Sequence, residues 1–105
     1  MPQFSVYANS SAASRERVPY LLDVQSDLLG SLATSIVVPL CPAHGFGAGL
    51  ISTLMPVLTV GDQDYVMLTP ELTGIARREL GPEAASLWEW RHRITAALEL
   101  ALSGF

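Results

Sequence analysis

The sequence predicts a mainly β fold with one long C-terminal α-helix, the sheet curling into an SH3-like partial barrel on which the helix packs. Three observations carry that expectation. Polar and apolar side chains alternate over Gln3–Ala8. Short apolar runs then recur between Gly- and Pro-bearing breaks as far as Leu68. Beyond Gly81 the apolar spacing lengthens to that of a helix. At 105 residues the chain supports a single core, so one domain over residues 1–105 is expected.

In Gln3–Ala8, Phe4, Val6 and Ala8 share one face of a half-buried strand. Asn9–Ser14 is small and polar and reads as a loop. Val18–Val24 is a second strand, with Pro19 at its start because proline cannot donate to a ladder. Tyr20–Leu29 then runs from that strand into a polar knot, Asp23-Val-Gln-Ser-Asp27, and back to two leucines. Ser35–Leu40 is a continuous apolar run, short enough for a buried strand. Cys41–Gly49 holds three glycines and a proline and reads as a loop. Leu50–Val60 and Tyr65–Leu68 flank Gly61–Asp64 and form a hairpin. Thr69–Arg78 is open between a short strand, a helical turn and irregular chain. Gly81-Pro82-Glu83 reads as a helix start, with proline in the first turn and an acid to meet the dipole. Leu87, Ile94, Leu98 and Leu102 mark its apolar stripe. That gives a helix of about 20 residues and some 30 Å, stopped by Gly104. Four or five strands precede it.

Composition excludes several functions. The chain carries six arginines and no lysine against ten acids, a net charge of −4. Such a balance argues against direct nucleic-acid binding, which draws its affinity from neutralised phosphates. Half the residues are apolar and 15% are charged, where about 25% is usual. A small domain cannot bury all of that apolar surface alone, and a homodimer is the simplest outlet. Cys41 is the only cysteine, so no intrachain disulfide forms and the chain reads as cytoplasmic. Neither a signal peptide nor a membrane span is expected.

Candidate chemistry is sparse. Cys41 has His44 three residues away as a conceivable base, but a small apolar residue beside Pro42 at a strand end explains it better. Cys41, His44 and His92 lack metal-ligand spacing, so no metal or other cofactor is expected. Gly45, Gly47 and Gly49 are followed by no Lys-Ser/Thr, so they read as loop rather than phosphate cradle. A metal-free ribonuclease needs a base, an acid and a cation. Only His44, His92 and the arginines are available, and His92 sits between Arg91 and Arg93, where repulsion disfavours its protonation. Arg77-Arg78 and Arg91-His92-Arg93 read as solvated surface. Asp23 and Asp27 look like an acid–base pair, yet turn-forming hydrogen bonds from Asp, Gln and Ser account for the same residues. Leu98, Leu100, Ala101, Leu102 and Phe105 make the end of the chain apolar nearly all round. It must bury itself in its own core, a second subunit or a partner.

Three blocks together resemble the CcdB family. They are Ser14–Arg17 through Asp23–Asp27, the hairpin Met55–Asp62 with Tyr65–Thr69, and a terminal helix closing on Leu102-Ser-Gly-Phe105. Gln3-Phe4-x-Val6-Tyr7 also fits. The resemblance implies an SH3-like barrel with a C-terminal helix, a homodimer with helix ends near its twofold axis, and no enzymatic activity. It implies the toxin of a type II toxin–antitoxin system, which inserts its helix ends between the gyrase A subunits and traps cleaved DNA. A CcdA-like antitoxin with a disordered tail would remove it. Carried over, the target-facing residues are Ser26, Leu28, Leu29, Glu99, Leu102, Ser103, Gly104 and Phe105.

Two positions depart from the family pattern. Ser103 stands where the family has a Trp that stacks on a gyrase arginine, and Glu99 stands where it has Asn. Loss of a stacked indole costs on the order of 1–2 kcal/mol or more per subunit. Phe105 offers an aromatic face displaced by two positions. Two alternatives follow: a MazF-like endoribonuclease, since those toxins share this barrel, and a CcdB homologue that binds antitoxin but has lost or changed its target.

Overall fold

The computed structural model describes residues 3–44 and 53–104. Its strands are β1 (Ser5–Asn9), β2 (Tyr20–Asp23), β3 (Thr34–Pro42), β4 (Val57–Val60), β5 (Gln63–Met67), β6 (Thr73–Ala76) and β7 (Leu80–Ser86). The helix α1 spans Arg91–Ser103. All pairings are antiparallel, in the order β4-β5-β3-β2-β1-β7. β6 pairs with the first half of β3. The result is a curled half-barrel with one C-terminal helix, as the sequence predicts.

β3 makes the curl possible. One edge pairs with β2 over Val37–Leu40. Its other edge serves β6 over Thr34–Val37 and then β5 over Leu40–Pro42. Pro39 lies in the gap where the partner changes, so its missing N–H breaks no ladder bond there. Its carbonyl accepts from the Leu68 amide at 3.0 Å. The hairpin also forms, but its first strand begins at Val57 rather than Leu50, residues 53–56 being bent chain ahead of it. Val60 faces Gln63, and Gly61 sits at φ +64° in the two-residue connection, the glycine-first turn that suits the twist of paired strands.

Alternation then sorts the side chains. Val6, Leu22, Val38, Leu40, Leu58 and Met67 turn inward and enclose Leu87, Ile94 and Ala97. Phe4 joins this core from a left-handed backbone, φ 70°. Its amide donates to the Asp23 carbonyl at 2.7 Å, and its carbonyl accepts from Leu87 N–H at 2.9 Å. It thereby ties the end of β2 to the end of β7.

Two expectations are overturned. Seven strands form among the described residues rather than four or five, because β7 forms and Thr69–Arg78 yields β6 between two 3-10 turns, Thr69–Glu71 and Arg77–Glu79. The predicted helix start at Gly81 is instead part of β7, and α1 has 13 residues rather than about 20. A 3-10 turn, Trp88–Trp90, leads into it. The reason lies in the β1–β7 register, where Tyr7 faces Glu83 and Asn9 faces Leu80, with Gly81 and Pro82 together opposite Ala8. Such a bulge tolerates proline, and it needs glycine because a Cβ on residue 81 would lie 2.7 Å from the Ala8 carbonyl oxygen. Glycine before proline signals a bulged edge strand as well as a helix start. The loop and strand expectations for residues 45–52 lie outside the described residues.

Gly81→Ala should therefore destabilise the fold by on the order of 2 kcal/mol, since the added methyl meets backbone rather than a movable side chain. A lower urea midpoint with an unchanged slope is the expected result. An unchanged midpoint would show that the bulge opens freely.

Candidate functional site

The polar knot after β2 is built inward. Asp23 and Gln25 are 2% and 5% exposed. The Asp23 carboxylate accepts from the Gln25 amide at 2.9 Å. The Gln25 side chain donates to the carbonyls of Leu29 (3.0 Å) and Thr34 (3.2 Å) and accepts from Ile36 N–H (3.2 Å). One amide thus closes the loop between β2 and β3, satisfying backbone groups that no strand reaches. Ser26, exposed, accepts from the Leu28 amide at 3.2 Å and caps the 3-10 turn Asp27–Leu29. These bonds fit the turn-forming reading of the knot. Asp23 is a buried turn-former and Asp27 lies on the exposed turn.

With its polar atoms occupied inside, the loop presents apolar ones outside. Leu28 is 93% exposed, and Leu29, Leu32 and Ile36 are also exposed. At the other candidate surface, α1 ends at Gly104, left-handed at φ 77° with its N–H on the Leu100 carbonyl. That is the expected stop. Leu102 is 74% exposed. Glu99, Ser103 and Gly104 are exposed beside it. Phe105 lies outside the described residues. Ser26, Leu28 and Leu29 thus share one turn, while Glu99, Leu102, Ser103 and Gly104 share the helix end. Within the protomer no hydrogen bond or ion pair among the described residues joins the two groups. Leu32, Ile36 and Trp88 were not anticipated as exposed apolar residues. The apolar run hid Ile36, and the longer helix expected there hid Trp88.

Elsewhere the geometry offers little chemistry. Burial pushes the Cys41 thiol up, against the pull of the Arg17 guanidinium, so the thiolate that a nucleophile needs is disfavoured. Burial likewise raises the phenols of Tyr7 and Tyr65. No group of three His, Cys, Asp or Glu residues with metal-binding geometry occurs among the described residues. No helix among them is long and apolar enough to cross a membrane. On the sheet face away from α1, Leu21, Val37 and Pro39 floor a groove of about 480 Å³, rimmed by the Arg17–Glu71 ion pair at 2.6 Å. Both partners are largely exposed, and such a pair adds little stability.

Gln25→Ala should cost about 2–3 kcal/mol, because it orphans the Thr34 carbonyl and the Ile36 amide at once, while the Leu29 carbonyl keeps the Leu32 amide. Ser26→Ala should cost under about 1 kcal/mol, the loss of a single exposed cap. Denaturation midpoints of the two variants check this, and equal losses would contradict the hub role of Gln25. Residues 3–104 match the family model described as CcdB protein.

Proposed function

The chain belongs to the CcdB family, and from that premise we propose that it is a non-enzymatic poison of DNA gyrase acting through the end of α1. Membership itself implies the toxin of a toxin–antitoxin system with an antitoxin as partner. The finer reading rests on one observation: Leu102 stands 74% exposed on the last turn of a helix that is anchored near its start. An apolar side chain held rigidly in water is suited to filling a pocket on another macromolecule.

In this reading Glu99, Leu102, Ser103, Gly104 and Phe105 enter the target, and Ser26, Leu28 and Leu29 flank them. The protein works as a cytoplasmic homodimer, its second copy covering part of the apolar surface around Leu29, Leu32 and Ile36. The gyrase A subunits receive the paired helix ends, and a CcdA-like antitoxin competes for the dimer. Ser103 weakens the contact relative to a tryptophan at that position. The specific alternative is therefore a toxin of this family whose target has changed, favoured by the same Ser103 and by Glu99.

Expression of the chain in cells, read out as growth arrest with gyrase-linked DNA breaks, tests the proposal. Gly104→Glu, or removal of residues 103–105, should abolish arrest and leave a folded dimer by size exclusion. Arrest at the wild-type level after truncation would refute the role of the helix end. Arrest without breaks would move the target away from gyrase. Ser103→Trp should tighten gyrase binding about tenfold, the equivalent of roughly 1.4 kcal/mol.

A further inference from the structure

We propose that the N-terminal end of α1 carries a docking site for an acidic peptide segment, formed by two arginines stacked on the chain's two tryptophans. The Arg91 guanidinium lies 4.9 Å from the Trp88 ring centroid, and its Nη1 donates to the Trp88 carbonyl at 3.1 Å. Arg93 lies 5.1 Å from the Trp90 centroid, and its Nη1 donates to the Val57 carbonyl at 3.5 Å. Stacked and tethered, both side chains have surrendered much of their rotamer freedom before any ligand arrives, which lowers the entropy cost of binding. Each guanidinium keeps further donors in its plane, the arrangement that takes a carboxylate in two parallel bonds.

Neither arginine is in an ion pair among the described residues, where the one such pair is Arg17–Glu71. Their position is also costly. The first turn of α1 holds no acid, and Arg91, His92 and Arg93 there oppose the helix dipole. The ring and carbonyl contacts hold the two arginines in place but leave both charges without a counter-ion among the described residues, which points to use rather than stability. Trp88, 53% exposed, adds an apolar platform. Glu89 is the acid of this end and weakens its field.

Positions two apart on a helix lie about 200° apart, so a segment that meets both forks follows the surface of a cylinder roughly 10–12 Å wide, an arc of about 14–17 Å. Extended chain advances about 3.3 Å per residue, and about five residues therefore reach both. A nucleic acid fits less well. Two guanidiniums neutralise few phosphates, and the whole chain, at −4, repels a long polyanion. The site lies at the opposite end of α1 from Leu102 and needs no gyrase.

Trp88 and Trp90 are the only tryptophans, so intrinsic emission reports this surface directly. Hexaglutamate titrated at low salt should change that emission saturably, and added salt should reverse it. Arg91→Gln with Arg93→Gln should weaken binding about tenfold or more, and Glu89→Gln should tighten it about twofold. Arg91→Lys with Arg93→Lys keeps the charge and loses the planar fork; it too should weaken binding, and it carries the test if circular dichroism shows the glutamine variant unfolded. No saturable change, or lysine and glutamine variants that bind as wild type does, would overturn the site. Tighter binding of oligothymidylate of equal charge would overturn the peptide assignment in favour of nucleic acid.

Discussion

The way α1 is fastened governs what its two ends can do. Of its residues only Ile94 and Ala97 are fully buried, both in the first half of the helix. They enter the core with Leu87, which precedes the helix at the end of β7. Burying an isoleucine contributes roughly 1.5–3 kcal/mol, enough to hold a short helix on the sheet. Past Leu98, itself only partly buried, the helix leaves the core. Its backbone bonds are internal, and Gly104 closes the projecting turn. Leu102 is therefore displayed on a capped helical turn clear of the sheet. A displayed apolar group loses little freedom on binding, and that is the main cost a partner would otherwise have to offset.

The loop after β2 reaches the same end by a different route. Its own backbone bonds are those of one 3-10 turn and a few neighbouring amides, and Gln25 ties that turn to the start of β3 from a single buried side chain. A fully satisfied buried amide of this kind fixes one loop shape, because every alternative strands at least one polar group. The shape it fixes turns Leu28 and Leu29 outward. Both candidate surfaces thus expose leucines beside a few polar side chains, Leu28 and Leu29 with Ser26 on the turn and Leu102 with Glu99 and Ser103 on the helix end. Away from them, burial moves Cys41, Tyr7 and Tyr65 toward their neutral forms.

Most of the sheet was legible because period-two alternation and the Gly61–Asp62 turn speak directly about the backbone. The polar knot was legible as a turn, since Asp, Gln and Ser bond nearby amides wherever they fall. What could not be read was long-range. Thr73–Ala76 has no strand signature of its own; it becomes β6 because β3 has a vacant edge. Gly81 and Pro82 satisfy the local grammar of a helix start, and only the approach of Ala8 across the β1–β7 bulge makes them strand residues. Leu87 fits the helical stripe by spacing and joins the same core, yet it stands ahead of the helix. The exposure of Leu102 was ambiguous for a similar reason: an apolar helix end reads alike whether it faces its own core or water.

Ser103 and the Trp88–Arg93 stretch are best weighed together. The last turn of α1 presents Leu102 without an aromatic among its described neighbours, while both tryptophans stand at the opposite end, about 20 Å away along a 13-residue helix. Discrimination between partners is a difference of affinities, and moving a stacking surface changes which partner gains from it. A partner that touches only the tip loses the indole contribution. One that also reaches the base of the helix meets two guanidiniums held flat against their rings, in a chain whose net charge is otherwise acidic. The local field there is opposite in sign to the molecule's average, so it favours a compact acidic segment over an extended polyanion that must cross the rest of the surface. In the proposed reading, recognition is therefore distributed along the helix instead of concentrated at the terminus.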